Sequence, residues 1–556
     1  MNITSIFTIL IISLLLFQSS ILSDQAPYYT FTHDANTAPP VAYYDYIIVG
    51  GGTSGCALAA TVSQGAKVLL LERGDMPYGN PTINNIATFA ETLSNTSPTS
   101  PSQAFISTDG VLNSRARVLG GGTCLNAGFY SRASSIYVEK VGWDPKLVKE
   151  SFEWVEKKVV FQPPVLQWQS AVRDGLLEAG VHPYNGFSFD HIMGTKVGGT
   201  IFDQEGRRHT AADLLEYAHP ANLTVHLNAV VHQITFHPET AAAMRPAADG
   251  VLYKDSKGNM HKALLNEGPM NEVILSAGAL GSPQLLMLSG IGPRNHLMAH
   301  GLNVILDSPM VGQGMTDNPM NAVVVPSPRP VEVSLVQVVG ITSFGSYIES
   351  TSGLQFGVRL PTFREYVSLL NQANKSLFQT NLGNTVLPED FTPYFNPVLR
   401  FGIILEKIIG PASSGYLELE STDPNENPRV TFNYFKETHD LERCVHGVRT
   451  IIQILESNAL SSFRYPLLSV RTLMDMMLIL PVNLRPRRLR TTYSLEQYCR
   501  DTVMTIWHYH GGCQVGKVVD RDYKVLGVDN LRVIDGSSFI DSPGTNPQAT
   551  VMMLGR

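Results

Sequence analysis

The alternation of apolar and polar stretches along the chain predicts its first elements. Ile6 to Phe17 is a twelve-residue apolar run followed by polar Gln18-Ser19-Ser20. It is too short for an ordinary spanning helix and matches the hydrophobic segment of a secretory signal, so 1–23 is read as a signal peptide cleaved near Ser23. The only positive charge ahead of it is the α-amine, which leaves an uncleaved anchor as the alternative. No later stretch reaches 18 uninterrupted apolar residues, so no membrane span is expected once the signal is removed. Residues 24–43 are polar, rich in Pro and Thr, and predict an extended lead-in.

Tyr46-Ile47-Ile48-Val49 then predicts a buried strand, Gly50-Gly51-Gly52-Thr53-Ser54-Gly55 a glycine-rich turn, and Cys56 to Ser63 a helix. A second apolar strand, Lys67 to Leu71, ends in Glu72-Arg73-Gly74. This order of strand, G-x-G-x-x-G, helix, strand and acid suits a dinucleotide. The glycines allow a tight turn and let the helix N-terminus approach a pyrophosphate, while Glu72 is positioned to accept hydrogen bonds from a ribose. Gly50, Gly52, Thr53, Ser54, Gly55, Glu72 and Arg73 are therefore the candidate dinucleotide residues. A bare glycine motif is often a plain turn; the flanking strands and Glu72 favour the dinucleotide. Its place at the start of the mature chain leans towards FAD rather than NAD.

Further along, residues 80–105 are rich in Ser, Thr, Asn and Pro and predict a surface excursion. Glu272 to Leu275 and Leu280 to Leu288 predict another strand and helix. Residues 310–500 change character, with mixed strands, a Pro-rich run near 325–330 and helical stretches around 441–457 and 469–480. That region is read as a second domain.

Composition narrows the function classes. A chain of 556 residues with 44% hydrophobic and 16% charged residues can bury a large core and allows two to four domains, which excludes global disorder. Lys plus Arg number 41 against 48 Asp plus Glu, a net charge of −7 without a basic block, so no nucleic-acid partner is expected. Five cysteines are too few for a disulfide scaffold, and none forms a CxxC pair. Sequons at Asn95, Asn222 and Asn374 fit a secreted, extracellular glycoprotein. An oxidising compartment permits a disulfide. Cys444 and Cys499 are the candidate pair, because Cys56, Cys124 and Cys513 lie inside glycine-rich motifs; unpaired core thiols are the alternative.

Four more motifs follow the first. They are Ala116 to Tyr130 (ARVLGGGTCLNAGFY), Gly278 to Gly292 (GALGSPQLLMLSGIG), Trp507 to Gly516 (WHYHGGCQVG) and Arg532 to Gln548 (RVIDGSSFIDSPGTNPQ). With these five motifs in order, the chain from Tyr44 to Arg556 resembles the glucose–methanol–choline (GMC) oxidoreductases, FAD enzymes that oxidise alcohols. Within that family it is most similar to the plant branch containing HOTHEAD and the mandelonitrile lyases, closer to the HOTHEAD side. The resemblance implies an α/β fold, with a Rossmann-type FAD-binding domain over 44–309 and 505–556 and an α+β substrate-binding domain over 310–504. It implies that Val118, Thr123, Asn126, Ala127, Gly128 and Phe129 line the flavin and that Val230 meets its adenine end. Asp535, Gly536, Asn546, Pro547 and Gln548 would lie beside the isoalloxazine and ribityl chain, with Trp507 among the cofactor residues. Taken singly, each glycine reads equally well as a turn and Asp535 as a helix cap.

His508 and His510 lie two apart on an expected strand, which would turn both side chains to one face. Spacing does not choose between them; the resemblance assigns His508 as the catalytic histidine and gives His510 no base role. Binding a metal through His508, His510 and Cys513 would need further ligands that the flanking sequence does not offer. Flavin-linked alcohol oxidation needs a base near neutral pKa to take the hydroxyl proton while hydride leaves the carbinol carbon, and imidazole suits that task. The second active-site position is Asn546. The lyases of this branch carry histidine there, which supplies positive charge for departing cyanide. A neutral amide gives up a charge-assisted hydrogen bond about twice as strong as a neutral one. Asn546 therefore favours oxidation, with cyanohydrin cleavage and a non-catalytic flavoprotein as alternatives.

The resemblance makes the partner a small alcohol, a long-chain hydroxy fatty acid or a cyanohydrin, and the protein is expected to be a monomer. Resembling chains continue past Met552-Met553-Leu554-Gly555-Arg556 into a closing helix. Without one, flavin would be held more weakly, unless the sequence is part of a longer chain.

Overall fold

In the computed structural model, six parallel strands form a sheet in the spatial order Thr32–Asp34, Leu223–Leu227, Val68–Leu71, Tyr46–Val49, Glu272–Leu275, Leu531–Val533. The residues described are 27, 29–95, 97–237, 245–353, 401–480, 482–485 and 494–556, so the expected signal peptide and the Asn374 sequon lie outside them. The central strands read as unbroken Val, Ile and Leu because both faces are covered. Ile48, Val68 and Leu70 pack towards Cys56, Ala59 and Met552 of the helices Thr53–Val62 and Gln548–Gly555. Ile47, Val49, Leu69 and Leu71 face the opposite core with Ile234, Val251 and Tyr253. Those last three belong to a four-stranded sheet ordered Val230–Phe236, Ala248–Lys254, Met260–Leu265, Val41–Tyr44.

Two polar stretches are more integrated than their composition predicts. The lead-in supplies the edge strand Thr32–Asp34 and the strand Val41–Tyr44, with Tyr29 and Phe31 buried beside them. The expected excursion at 80–105 buries Ile83, Phe89 and Ala90. Its polar residues include helix caps: Asn80 accepts from Thr82 N and Asn85 from Ala87 N. Of the described sequons, Asn95 is exposed, whereas Asn222 Nδ2 donates to Ser63 O at 2.9 Å.

A seven-stranded sheet forms the second layer, ordered Met504–Thr505, Pro319–Pro326, Phe401–Ile408, Ser346–Ser352, Val338–Ile341, Gly194–Val197, Tyr184–Phe187. It draws two strands from 184–197, so it extends beyond the 310–504 segment. The helices Gln167–Glu178 and Thr438–Glu456 lie against it. Gly402 is required beneath Trp168, since a Cβ there would meet the indole ring at 1.9 Å. Among the described residues no helix is long and apolar enough to cross a membrane.

Cys444 and Cys499 form a disulfide that joins the helix Thr438–Glu456 to the helix Leu495–Asp501. It closes a loop of sequence separation 55, for which chain entropy alone gives a stabilisation of about 4 kcal/mol. Cys499→Ser is expected to lower unfolding free energy by about 2–4 kcal/mol. Denaturant titration of oxidised wild type against the variant measures this, and equal midpoints would contradict it.

Candidate active site

Val49, Leu71, Leu275 and Val533 share one register across the parallel sheet. The residues that follow them, Gly50, Glu72, Ser276 and Ile534-Asp535, therefore emerge at one edge. The chain reverses its direction of travel at Tyr46–Val49, whose neighbours are Val68–Leu71 on one side and Glu272–Leu275 on the other. A crevice at the carboxyl ends of strands is expected at such a switch point. Here the backbones touch: a Cβ on Gly50, at φ +103°, would lie 2.5 Å from Ser276 O, and one on Gly55 2.0 Å from Gly50 O. Helix Thr53–Val62 begins at Gly52 without a side-chain cap, leaving its first N–H groups free for an anion.

The cavity at this edge is lined by Gly50, Gly52, Thr53, Ser54, Glu72, Arg73, Val118, Val230, Trp507, Asp535 and Gly536. Glu72 is buried, which pushes its carboxyl up, and its two oxygens accept from Gly51 N at 2.9 Å and Gly74 N at 2.7 Å. It holds the glycine turn as well as facing the cavity. Asp535 likewise serves in both ways, accepting from Gly278 N at 2.9 Å, Ser282 Oγ at 2.5 Å and Ser537 N at 2.7 Å.

Gly55, Thr123, Asn126, Ala127, Gly128, Phe129, His508, Asn546, Pro547 and Gln548 are not on that wall. Thr123 is fully buried, donating to Gly120 O at 2.6 Å and accepting from Ala211 N at 2.9 Å. The segments 126–129 and 546–548 instead meet each other. Asn126 Nδ2 donates to Gln548 Oε1 at 2.8 Å, and Gln548 Nε2 donates to Phe129 O. Phe129 packs in one cluster with Tyr347, whose hydroxyl donates to Asn546 Oδ1.

Asn546 Nδ2 lies 3.3 Å from His508 Nε2, and Asn318 Nδ2 lies 3.3 Å from the other ring nitrogen, Nδ1. His508 N donates to Asp317 Oδ1 at 2.9 Å; Tyr434 OH and Thr505 Oγ1 donate to Oδ2. Burial pushes the Asp317 carboxyl up to about 6 against these hydrogen bonds. Burial also lowers the His508 imidazole well below its ordinary range, helped by the nearby Lys407 ammonium and by His510. Burial lowers the Lys407 ammonium to about 8 against the opposing effect of its ion pair with Glu349 at 3.2 Å.

The expected strand through 508–510 is not formed. The strand Met504–Thr505 stops short, and Trp507 takes φ +59°, a strained conformation for a bulky residue. That turn sets Trp507 and Tyr509 on the cavity wall and His508 towards Asn546. His510 instead hydrogen-bonds His508 O through Nδ1 at 2.9 Å and pairs its backbone with Thr316.

Sequence reading missed Arg115, Tyr509, Asp317, Asn318 and Tyr347. Arg115 lies just before the second glycine-rich motif, and that proximity was the available signal. Tyr509 lies inside the motif Trp507 to Gly516, between the two histidines, and Asp317, Asn318 and Tyr347 sit in strands or connections without a legible pattern.

Two family models, both described as GMC oxidoreductase, match residues 44–320 and 411–555. The chain is 51% identical to Protein HOTHEAD of Arabidopsis thaliana, covering 92% of this chain and 87% of that protein. It is 48% identical to an (R)-mandelonitrile lyase-like protein of the same plant (92% and 88%), and 42% to sinalpyl alcohol oxidase Nec3 of Nesocodon mauritianus (95% and 90%). The crystal structure of a formate oxidase matches its fold with a TM-score of 0.71 at 19% identity, covering 93% of this chain and 97% of that one.

The cavity fits FAD on its own chemistry. Arg73 and Arg115 both face it, and among the described residues neither forms an ion pair with a carboxylate. Arg115 is held only by neutral oxygens, Gln284 Oε1 at 3.1 Å and Gln103 Oε1 at 3.3 Å among them. Burial lowers both guanidiniums, Arg73 to about 10. A buried cation held only by neutral oxygens, as Arg115 is, is costly, and an anionic dinucleotide would relieve it. Arg115→Gln is therefore expected to raise the FAD dissociation constant about 10- to 100-fold, the range for a lost charged hydrogen bond. Fluorescence titration of the apoprotein reads this, and an unchanged constant in a folded variant would refute the assignment.

Proposed function

This chain belongs to the GMC oxidoreductase family, and from that premise we propose that it oxidises the CH–OH group of an alcohol. FAD is the cofactor and supplies a hydride acceptor when bound. The observation that carries the proposal is the uncharged pair His508–Asn546. The imidazole, lowered by burial, is neutral and can accept a proton at ordinary pH. The Asn546 amide, 3.3 Å from Nε2, can hydrogen-bond the same hydroxyl oxygen without adding charge. A substrate oxygen between the two would lose its proton to Nε2 while Asn546 orients it. Tyr347 holds the amide from behind, and the His508 side chain is buried.

Cyanohydrin cleavage is the second reading, favoured by 48% identity to the mandelonitrile lyase-like relative. It asks for a cation where cyanide departs. Lys407 is the nearest cation identified, and it is already matched by Glu349. Long-chain hydroxy fatty acids are proposed as the first substrates to screen, followed by aryl alcohols, since Nec3 is by name an alcohol oxidase. Secretion is proposed from the apolar segment Ile6 to Phe17, and the disulfide supports it.

An oxidised alcohol leaves two electrons on the flavin, so anaerobic substrate is expected to bleach its absorbance. Mandelonitrile split into aldehyde and cyanide with an unchanged flavin spectrum, and no alcohol causing bleaching, would establish the lyase instead. In the same assay His508→Ala is expected to lower turnover by about 10²–10⁴ with FAD retained, and His510→Ala to cost less. Equal losses, or the reverse order, would move the base to His510.

The base works only when unprotonated. Because its folded-state pKa is lowered, kcat/KM is expected to stay level as pH falls through 6.5 and to decline only below it. A profile that declines already at pH 7 would contradict a buried neutral base.

A further inference from the structure

The two ring nitrogens of His508 both face amide nitrogens, Asn546 Nδ2 and Asn318 Nδ2, each at 3.3 Å. That array is chemically inconsistent. A neutral imidazole has one N–H and one lone pair, and an imidazolium has two N–H groups, so at least one contact would set donor against donor. One amide must be turned by half a rotation, which exchanges O and N without changing its shape.

The surroundings identify which one. Asn546 Oδ1 already accepts from the Tyr347 hydroxyl; turning it would make that hydroxyl the acceptor and would leave the buried oxygen of Asn318 unpaired. Asn318 Oδ1 is buried and, among the described residues, has no hydrogen-bond partner. A buried acceptor left without a donor is costly, whereas turning Asn318 presents that oxygen to His508 Nδ1. Its other neighbour, Ser542 Oγ at 3.3 Å, donates to Gly544 O at 3.1 Å and redirects that proton to the turned oxygen.

We propose that Asn318 is a positioning residue that fixes the tautomer of His508: its side-chain oxygen accepts the Nδ1 proton and leaves the Nε2 lone pair facing Asn546 and the substrate. The inference rests on His508 being the base. Asn318 precedes the strand Pro319–Pro326, and its neighbour Asp317 holds the His508 backbone, so one dipeptide sets both the position and the protonation of the ring. As the proton arrives at Nε2, the contact from Nδ1–H to Asn318 becomes charge-assisted and strengthens. The charged and titratable groups facing the ring are Lys407 with its partner Glu349, His510, and the Asp317 carboxylate beneath the backbone.

Selective ¹⁵N-histidine labelling of the FAD-loaded enzyme reads the tautomer without turnover. Wild type is expected to show a protonated Nδ1 and an unprotonated Nε2 at His508, assigned by loss of the signal in His508→Ala. Asn318→Leu is expected to shift protonation towards Nε2 and to lower kcat on the order of 10² with little change in KM. Asn318→Asp keeps the acceptor and adds negative charge, so it is expected to restore the tautomer and move the acid limb of kcat/KM up by about one pH unit or more. A wild-type Nε2–H signal, or an acid limb unmoved in Asn318→Asp, overturns the proposal even if His508→Ala is inactive. Full turnover in His508→Ala would instead remove the base assignment and leave the tautomer measurement standing.

Discussion

The close approach of Gly50 to the Ser276 carbonyl is the contact on which the cofactor end of the molecule depends. Parallel strands aligned in register bring their carboxyl ends to one level, but a cavity forms only if the turns leaving them can pack backbone against backbone. Side chains at Gly50, Gly55 or Gly121 would fill the space where those turns meet. Glu72 and Asp535 then tie the turns together by accepting backbone N–H groups from opposite sides. The result is a wall of free N–H groups and two guanidiniums hydrogen-bonded to neutral oxygens, preorganised for negative charge.

Next to this electropositive wall, the surroundings of His508 are arranged around neutrality: Asn546, Asn318 and Tyr347 bring no charge, and the Lys407–Glu349 pair is internally matched. A carboxylate accepting from the ring would hold the imidazole protonated. The Asp317 oxygens instead accept from the His508 backbone, Tyr434 and Thr505, so that residue fixes the main chain.

The cofactor half was legible because its physics is local. A glycine between a Val-rich strand and a small-residue helix carries its meaning in adjacent positions, and the strand Glu272–Leu275 has the boundaries its apolar run predicts. The residues around His508 come from five separate parts of the chain, near 317, 347, 407, 508 and 546, joined by antiparallel pairings that no short pattern specifies. The strand expected through His508 failed for a related reason. Alternating side chains suggested period two, but Trp507 adopts positive φ to meet a tertiary demand at the cavity. The polar composition of 24–43 predicts only an extended lead-in and that of 80–105 a surface excursion, because edge strands and capping asparagines look like loops in composition.

The disulfide reaches further than the two helices it joins. Cys499 O accepts from Asn321 Nδ2 at 2.9 Å, three residues after Asn318, and the chain beyond Cys499 runs through Met504–Thr505 into Trp507 and His508. The segment around Asn321 and the approach to His508 are thus anchored through one covalent link between helices, so the placement of the imidazole depends on a crosslink that touches neither the ring nor the cavity.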